Sequence, residues 1–193
     1  MKALIVYGSG YGHTAKIARY ITQTLRNRAH EVELVDGRAI PPEIDLADYD
    51  AVVVGASVNA GGFQRYIIDF VRRNQAQLQQ MPSAFFGVSM REAEPDPVHR
   101  AKAMRPIDWF LRETGWTPDI VASFAGSIAY LRYRWLMRLI WRRIPLPGDN
   151  RSRRPGSSTA PEGYEYTDWD AVSRFTERVE AMVHDVRPAS TPA

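Results

Sequence analysis

Short, nearly uninterrupted apolar runs alternate along the chain with longer segments whose apolar residues return every three or four positions. The runs Ala3 to Tyr7, Val32 to Val35, Ala51 to Ala56, Ala84 to Ser89 and Ile120 to Ala125 are rich in β-branched and aliphatic side chains. Runs of this kind, lacking strict polar alternation, predict strands covered on both faces, as in a parallel sheet. Helices are predicted over Thr14 to Arg28, Phe63 to Leu78, Val98 to Glu113 and Asp168 to Val186. In the first, Ile17, Tyr20, Ile21, Thr24 and Leu25 recur at helical spacing and give one apolar face to lay on the sheet. Strands alternating with helices imply right-handed crossovers, so the pattern predicts an α/β fold built on a doubly wound sheet.

Two stretches break the rhythm. Asp36 to Asp50 contains Pro41-Pro42 and little periodicity, which predicts a long connection with at most one short helix near Ile44 to Ala47. Pro145 to Gly163 is rich in Pro, Gly, Ser and Arg, and cannot bury enough apolar surface to offset chain entropy, so a mobile loop is expected there. Arg187 to Ala193 reads as a frayed tail. The chain has 193 residues, of which 45% are hydrophobic and 24% charged, and this suits one core. A single domain over residues 1–186 is therefore expected, with an insertion at about 127–163 and a disordered tail at 187–193. No apolar run of roughly 18 residues is present to span a bilayer. The start of the chain lacks the pattern of a secretory signal, so a cytoplasmic protein is expected. Cysteine is absent, which excludes disulfides, thiolate metal sites and cysteine nucleophiles. Redox chemistry in this chain requires a bound cofactor.

The strongest candidate chemistry lies at Gly8-Ser9-Gly10-Tyr11-Gly12-His13-Thr14, between the first strand and the first helix. A strand, a glycine-rich turn and a helix N-terminus in that order form an anion site, because unpaired N–H groups and the positive end of the helix dipole converge. The hydroxyls of Ser9 and Thr14 add donors. The bland reading is a tight strand-to-helix connection and nothing more. A Walker A loop needs Gly-Lys-Ser/Thr where this chain has Gly12-His13-Thr14, and the spacing Gly8, Gly10, Gly12 misses G-x-G-x-x-G. ATP and NAD are both disfavoured.

The run Ile5 to Thr14, with Ala18 and Ile21 following, resembles the N-terminal signature of flavodoxins. The resemblance implies a flavodoxin-like sheet of order 2-1-3-4-5 with FMN bound non-covalently, its phosphate held by Ser9, Gly10, Tyr11, Gly12, His13 and Thr14. Ligands of open α/β sheets collect beyond the carboxyl ends of the strands. Two further loops then frame the ring: Ser57, Val58, Asn59, Ala60, Gly61 and Gly62 after the third strand, and Ser89 and Met90 after the fourth. Asn59 is placed to bond the flavin edge, Gly61-Gly62 to approach it closely, and Met90 or Phe63 to cover a face; the plainer alternative is that Gly61-Gly62 is a flexible turn and Phe63 a core residue at the start of a helix. Many flavodoxins stack a Trp or Tyr on the ring in these loops; Val58, Asn59 and Ala60 offer none. In this reading His13 caps or stabilises the turn.

The formal net charge of +3 is unevenly spread. Residues 126–154 carry eight arginines against Asp149 alone, a local charge of +7 that leaves the rest of the chain at −4. On a helix Arg134, Arg138 and Arg142 form a stripe, with Trp135, Leu136, Leu139, Ile140 and Trp141 around them. Such a segment suits a membrane interface or an anionic, partly apolar ligand; a helix packed on its own core with a solvated arginine face is the plainer alternative. Nucleic acid is disfavoured, since the arginines sit among apolar residues. Met81 to Phe85, Trp116 to Asp119, Ala125-Gly126, Arg132-Tyr133-Arg134-Trp135 and Tyr166 to Trp169 together resemble the menaquinone-dependent protoporphyrinogen IX dehydrogenases. That resemblance covers nearly the whole chain and implies oxidation of protoporphyrinogen IX to protoporphyrin IX, with electrons passed through FMN to a quinone at the inner face of the cell membrane. Arg132, Arg134, Trp135, Arg138, Trp141 and Arg142 are the residues it marks for substrate or anionic membrane contact. The stretch Arg151 to Gly163 is longer than that family leads one to expect. A soluble quinone reductase or electron carrier is one competing reading, and a flavin-free docking module is another. Carriers that dock on basic partners are usually acidic, unlike this chain. A homo-oligomer is left open.

Overall fold

The computed structural model describes residues 1–58, 62–89, 105–125 and 167–186. Among them lie β1 (Lys2–Gly8), α1 (His13–Asn27), β2 (Glu31–Asp36), a short 3-10 turn (Leu46–Asp48), β3 (Ala51–Ser57), α2 (Arg65–Arg73), α3 (Gln75–Leu78), β4 (Ser83–Ser89), α4 (Arg105–Thr114), β5 (Ile120–Ala125) and α5 (Trp169–Val186). The five strands form one parallel sheet in the order β2-β1-β3-β4-β5. Strand order reverses at β1 and β3, so the carboxyl ends of those two strands flank the crevice where ligands of such sheets bind.

Each strand divides its residues between two cores, because successive side chains point to opposite faces. Ala3 and Ile5 of β1, Ala51 and Val53 of β3, Ala84 and Phe86 of β4 and Ile120 and Phe124 of β5 share one core with Ile17, Ile21 and Leu25 of α1 and Val172, Phe175 and Val179 of α5. Leu4 and Val6, Val52 and Val54, and Phe85 join the other core, with Ile67, Phe70 and Val71 of α2 and Ile107 and Phe110 of α4. Two-sided burial explains why β1 reads as an unbroken apolar run.

The helices depart from the sequence pattern in instructive places. On α1 it is Thr22, not Thr24, that is buried, and its hydroxyl donates to Ala18 O at 2.8 Å, which lets a polar residue enter the core face. The helix predicted over 63–78 is divided at Asn74 (φ −107°, ψ 11°). There the Asn74 side-chain Nδ2 and backbone N both donate to Phe70 O, at 2.9 and 3.2 Å. A side chain competing for a helical carbonyl in this way breaks the ladder. Asp168 is the cap of α5, its carboxylate accepting from Ala171 N at 2.9 Å, and the helix begins one residue later. Residues 98–104 of the third predicted helix lie outside the described residues. Among the described residues no helix is long and apolar enough to cross a membrane.

Candidate functional site

The carboxyl ends of β1, β3 and β4, at Gly8, Ser57 and Ser89, lie side by side, since Gly8 is in register with Ala56 and Ser57 with Val88. The turn from Ser9 to Gly12 leaves the sheet there. Gly12 takes the left-handed conformation, φ 91°, which is strained for any residue bearing Cβ, and it serves as the cap of α1 without a side-chain bond. The first helical bond runs from Lys16 N to Gly12 O at 3.0 Å. Backbone N–H groups of the preceding turn therefore have no carbonyl four residues back within the helix to receive them. No acidic residue stands in the first turn of α1 to oppose an anion at the positive end of its dipole.

The turn is braced from within and from two neighbouring elements. Ser9 Oγ accepts from Gly12 N at 3.0 Å, closing the turn on itself. Ser57 Oγ accepts from Gly10 N at 3.4 Å and from Gln64 Nε2 at 2.5 Å, while Ser57 N donates to Gln64 Oε1 at 3.2 Å. Gln64 reaches this position because Gly8 has no Cβ: one built there would lie 2.8 Å from Gln64 Oε1 and 2.6 Å from Ile67 Cγ1. The Tyr66 hydroxyl stands near the Ser9 backbone N–H; burial pushes that hydroxyl above the usual phenol range, with Asp36 adding to the rise and Arg38 and the Ser9 N–H opposing it. On the other side His13 Nε2 and Thr167 Oγ1 are 2.5 Å apart, which ties the turn to the entry of α5. Lys16 Nζ lies 5.1 Å from the Trp169 ring centroid, and Tyr20 packs on the same ring at 5.0 Å.

One atom in this arrangement lacks a counterpart. Thr14 is fully buried, and its Oγ1 is one of two buried side-chain oxygens among the described residues with no hydrogen-bond partner. An unsatisfied buried hydroxyl costs about 1 to 3 kcal/mol, so its persistence at an anion-ready turn points to a ligand oxygen. The positions where a Cβ would stand on Gly12 and Gly62 open into space, leaving backbone accessible to a ligand on both loops. A phosphate-bearing flavin fits these residues: hydroxyl and N–H donors at one end, bare backbone at the other.

Of the residues marked from sequence, Ser9, Gly10, Tyr11, Gly12, His13, Thr14, Ser57, Val58, Gly62 and Ser89 are described. Val58 N extends the sheet ladder to Val88 O at 2.9 Å, and Tyr11 is 60% exposed at the tip of the turn. Asn59, Ala60, Gly61 and Met90 lie outside the described residues, as do Arg132, Arg134, Trp135, Arg138, Trp141 and Arg142. Phe63 does not present itself to a ligand. It is 7% exposed and packs edge-on against Phe85 at 5.5 Å and Phe110 at 5.2 Å, a core role favoured by the area an aromatic ring removes from water. Gln64, Tyr66 and Thr167 carry no sequence signal for this site. Gln is not among the favoured capping residues, and Thr167 is distant in sequence.

Comparison with known proteins agrees with this geometry. The flavodoxin domain family matches residues 4–151. The chain belongs to the flavodoxin family. A curated relative from Leishmania major, named protoporphyrinogen IX dehydrogenase [quinone], is 32% identical over 97% of this chain and 78% of its own length. A protein of the same name from Escherichia coli K12 is 30% identical over 93% of this chain and 94% of its own. Flavodoxin 1 of Bacillus cereus superposes with a TM-score of 0.54 at 18% identity, covering 97% of this chain and all of that one, and this likeness bears on the fold alone. As a flavodoxin family member with such relatives, the protein is a flavin-dependent oxidoreductase.

Proposed function

We propose that this flavodoxin-family protein binds FMN and oxidises protoporphyrinogen IX to protoporphyrin IX, passing the electrons to a quinone. The observation that carries the cofactor assignment is the buried, partnerless Thr14 hydroxyl in a turn otherwise equipped for a phosphate. The names of the relatives, aligned over almost the whole chain, support the substrate and the acceptor.

FMN would supply the two-electron redox chemistry, used three times over to remove six hydrogens from one macrocycle. The chain's part is to bind and orient. Thr14 Oγ1, the Ser9 hydroxyl and the His13 N–H would hold the phosphate, while the N–H groups of Gly10 and Gly12, bonded to Ser57 Oγ and Ser9 Oγ, shape the turn around it and Gln64 keeps Ser57 in place from behind. Ser57, Val58, Gly62 and Ser89, with Asn59, Ala60, Gly61 and Met90, would frame the ring from the carboxyl ends of β3 and β4. Arginines suit the substrate's propionates through charge-assisted bonds, and Arg132, Arg134, Arg138 and Arg142 are the candidates. The same segment, with Trp135 and Trp141, would hold the protein against an anionic membrane surface on the cytoplasmic side, where the quinone resides.

The test is a single turnover. Anaerobic mixing of the FMN-loaded protein with protoporphyrinogen IX is expected to bleach the flavin absorbance. Bleaching by NADH or NADPH, and none by protoporphyrinogen IX, would replace this reading with that of a nicotinamide-driven quinone reductase.

A further inference from the structure

A cleft of about 450 Å³ opens away from the phosphate turn, between α2 and the long connection that follows β2. Its origin is readable in the chain. Pro41 and Pro42 lack N–H groups and cannot extend the edge of the sheet beside β2, so the connection stands off. Gly37 lets α2 come close: a Cβ there would lie 2.5 Å from Ile67 Cδ1 and 3.1 Å from Tyr66 Cδ2. The base of the cleft is apolar, with Phe70 and Leu46 almost wholly buried, and Ile40 and Ile44 form half-buried walls. Its polar rim is different in kind. Arg38, Arg73, Tyr66 and Asn74 line it, and among the described residues no acidic side chain does.

The two arginines are not equivalent. Arg38 is held by Asp36 through Nε at 3.0 Å and Nη2 at 2.6 Å, and those bonds keep the Asp36 carboxyl below the usual carboxylate range. Its charge is matched in place. Arg73 uses Nε on the backbone carbonyl of Asp69 at 3.2 Å, a neutral acceptor, and among the described residues no carboxylate pairs with its charge. One uncompensated cation over an apolar floor suits one negative charge on an apolar body. A dianion is disfavoured, because only one of the two arginine charges is left for it, the other being matched by Asp36.

We propose that this cleft binds a small apolar molecule carrying a single carboxylate, with Arg73 as its charge partner and Phe70, Ile40 and Ile44 covering its body. The volume lies in the range of sites that take small ligands. A guanidinium beside a carboxylate forms paired charge-assisted bonds, and these fix orientation as well as affinity. The site is separate from the flavin reading and does not depend on it.

The probe is 2-naphthoate, titrated into the FMN-loaded full chain and followed by the backbone amide shifts of Gly37, Ile40, Tyr66 and Asn74. Saturable shifts centred on those amides are expected, with flavin absorbance unchanged. Arg73→Gln is expected to weaken binding about tenfold or more, and neutral 2-naphthalenemethanol to bind wild type weaker by a similar factor. Arg73 is exposed, so the variant is expected to fold; a second variant, Ile40→Asp, places a like charge against the carboxylate and should also weaken binding. The proposal is overturned if those amides show no saturable shift, if neither variant changes the affinity, or if naphthoate binds only by displacing FMN.

Discussion

Gln64 holds Ser57 at two points, its Nε2 donating to Ser57 Oγ at 2.5 Å and its Oε1 accepting from Ser57 N at 3.2 Å. Ser57 Oγ in turn accepts from Gly10 N, so a residue at the start of α2 sets the shape of the phosphate turn. Gln64→Leu keeps the volume and removes both bonds. Each is worth about 0.5 to 1.5 kcal/mol, and part of that loss is expected as a roughly tenfold weaker FMN affinity, measured by quenching of flavin fluorescence. Riboflavin, which has no phosphate for the turn to hold, is expected to lose much less. Equal losses for the two flavins would show that Gln64 acts on the ring loops or on the fold.

Thr14 permits a test in which two readouts move in opposite directions. Thr14→Val replaces a buried, partnerless hydroxyl with a methyl group. The apoprotein is expected to gain about 1 kcal/mol of stability or stay unchanged, because a desolvated polar group is removed. FMN affinity is expected to fall by about 10- to 100-fold, as a bond to a charged oxygen is lost. Urea unfolding without cofactor and equilibrium titration with it give the two numbers. A destabilised apoprotein with unchanged FMN affinity would remove Thr14 from the cofactor site.

The clearest pH effect lies away from this site, at the attachment of α5. Glu180 Oε1 lies 2.7 Å from His30 Nε2, and its Oε2 lies 2.5 Å from Arg28 Nη1; these partners hold its carboxyl below the ordinary value of 4.5. A carboxyl with a lowered folded value contributes stability that is fully present above its unfolded value and lost as pH falls through the folded one. Wild type is therefore expected to melt above Glu180→Gln near pH 6, with the gap closing below about pH 4. The carboxyl is partly exposed to solvent, which screens its ion pairs, so the gap is expected to be small, on the order of a few degrees or less. A gap that stays constant with pH would mean that packing, and not charge, accounts for it.

The strands follow from a simple physical signal: a strand covered on both faces is apolar along its middle, as Ala3 to Val6, Ala51 to Val54 and Ala84 to Phe86 are; their order came from the resemblance to flavodoxins. The glycine-rich turn between β1 and α1 was legible for the same reason of locality, since its glycines, hydroxyls and helix start are contiguous. What supports the turn was not. Thr167 is 154 positions from His13, Gln64 reaches Ser57 only because Gly8 leaves room, and Tyr66 meets Ser9 across two elements. The Asn74 break in the predicted helix depends on one side chain turning back on Phe70 O, and the same pattern of apolar residues would serve an unbroken helix equally well. For Phe63 the core alternative holds, and the sequence could not choose it, because an aromatic residue after a glycine pair looks alike whether it faces a ligand or a core.

The basic segment separates surface binding from packing. Reversing Arg134, Arg138, Arg142 and Arg143 to Glu is expected to abolish cosedimentation with anionic vesicles at low salt, since each basic residue near such a surface contributes about 1 kcal/mol. Flavin content is expected to persist. Vesicle binding that survives the reversals would contradict the membrane reading, and loss of flavin with aggregation would assign the segment to the core. Intact folding and lipid binding with lost turnover would place the arginines at the substrate's propionates.

Electron flow from protoporphyrinogen IX through FMN to a quinone is the activity proposed for this flavodoxin-family protein. The most direct measurement is anaerobic, multiple-turnover formation of protoporphyrin IX fluorescence by the FMN-loaded protein with a menaquinone analogue. Turnover is expected to require both FMN and the quinone, to consume three quinones per porphyrin formed, and to be indifferent to NADH and NADPH. Porphyrin formation no faster than in the cofactor-free control, alongside steady quinone reduction driven by a nicotinamide, would contradict the account.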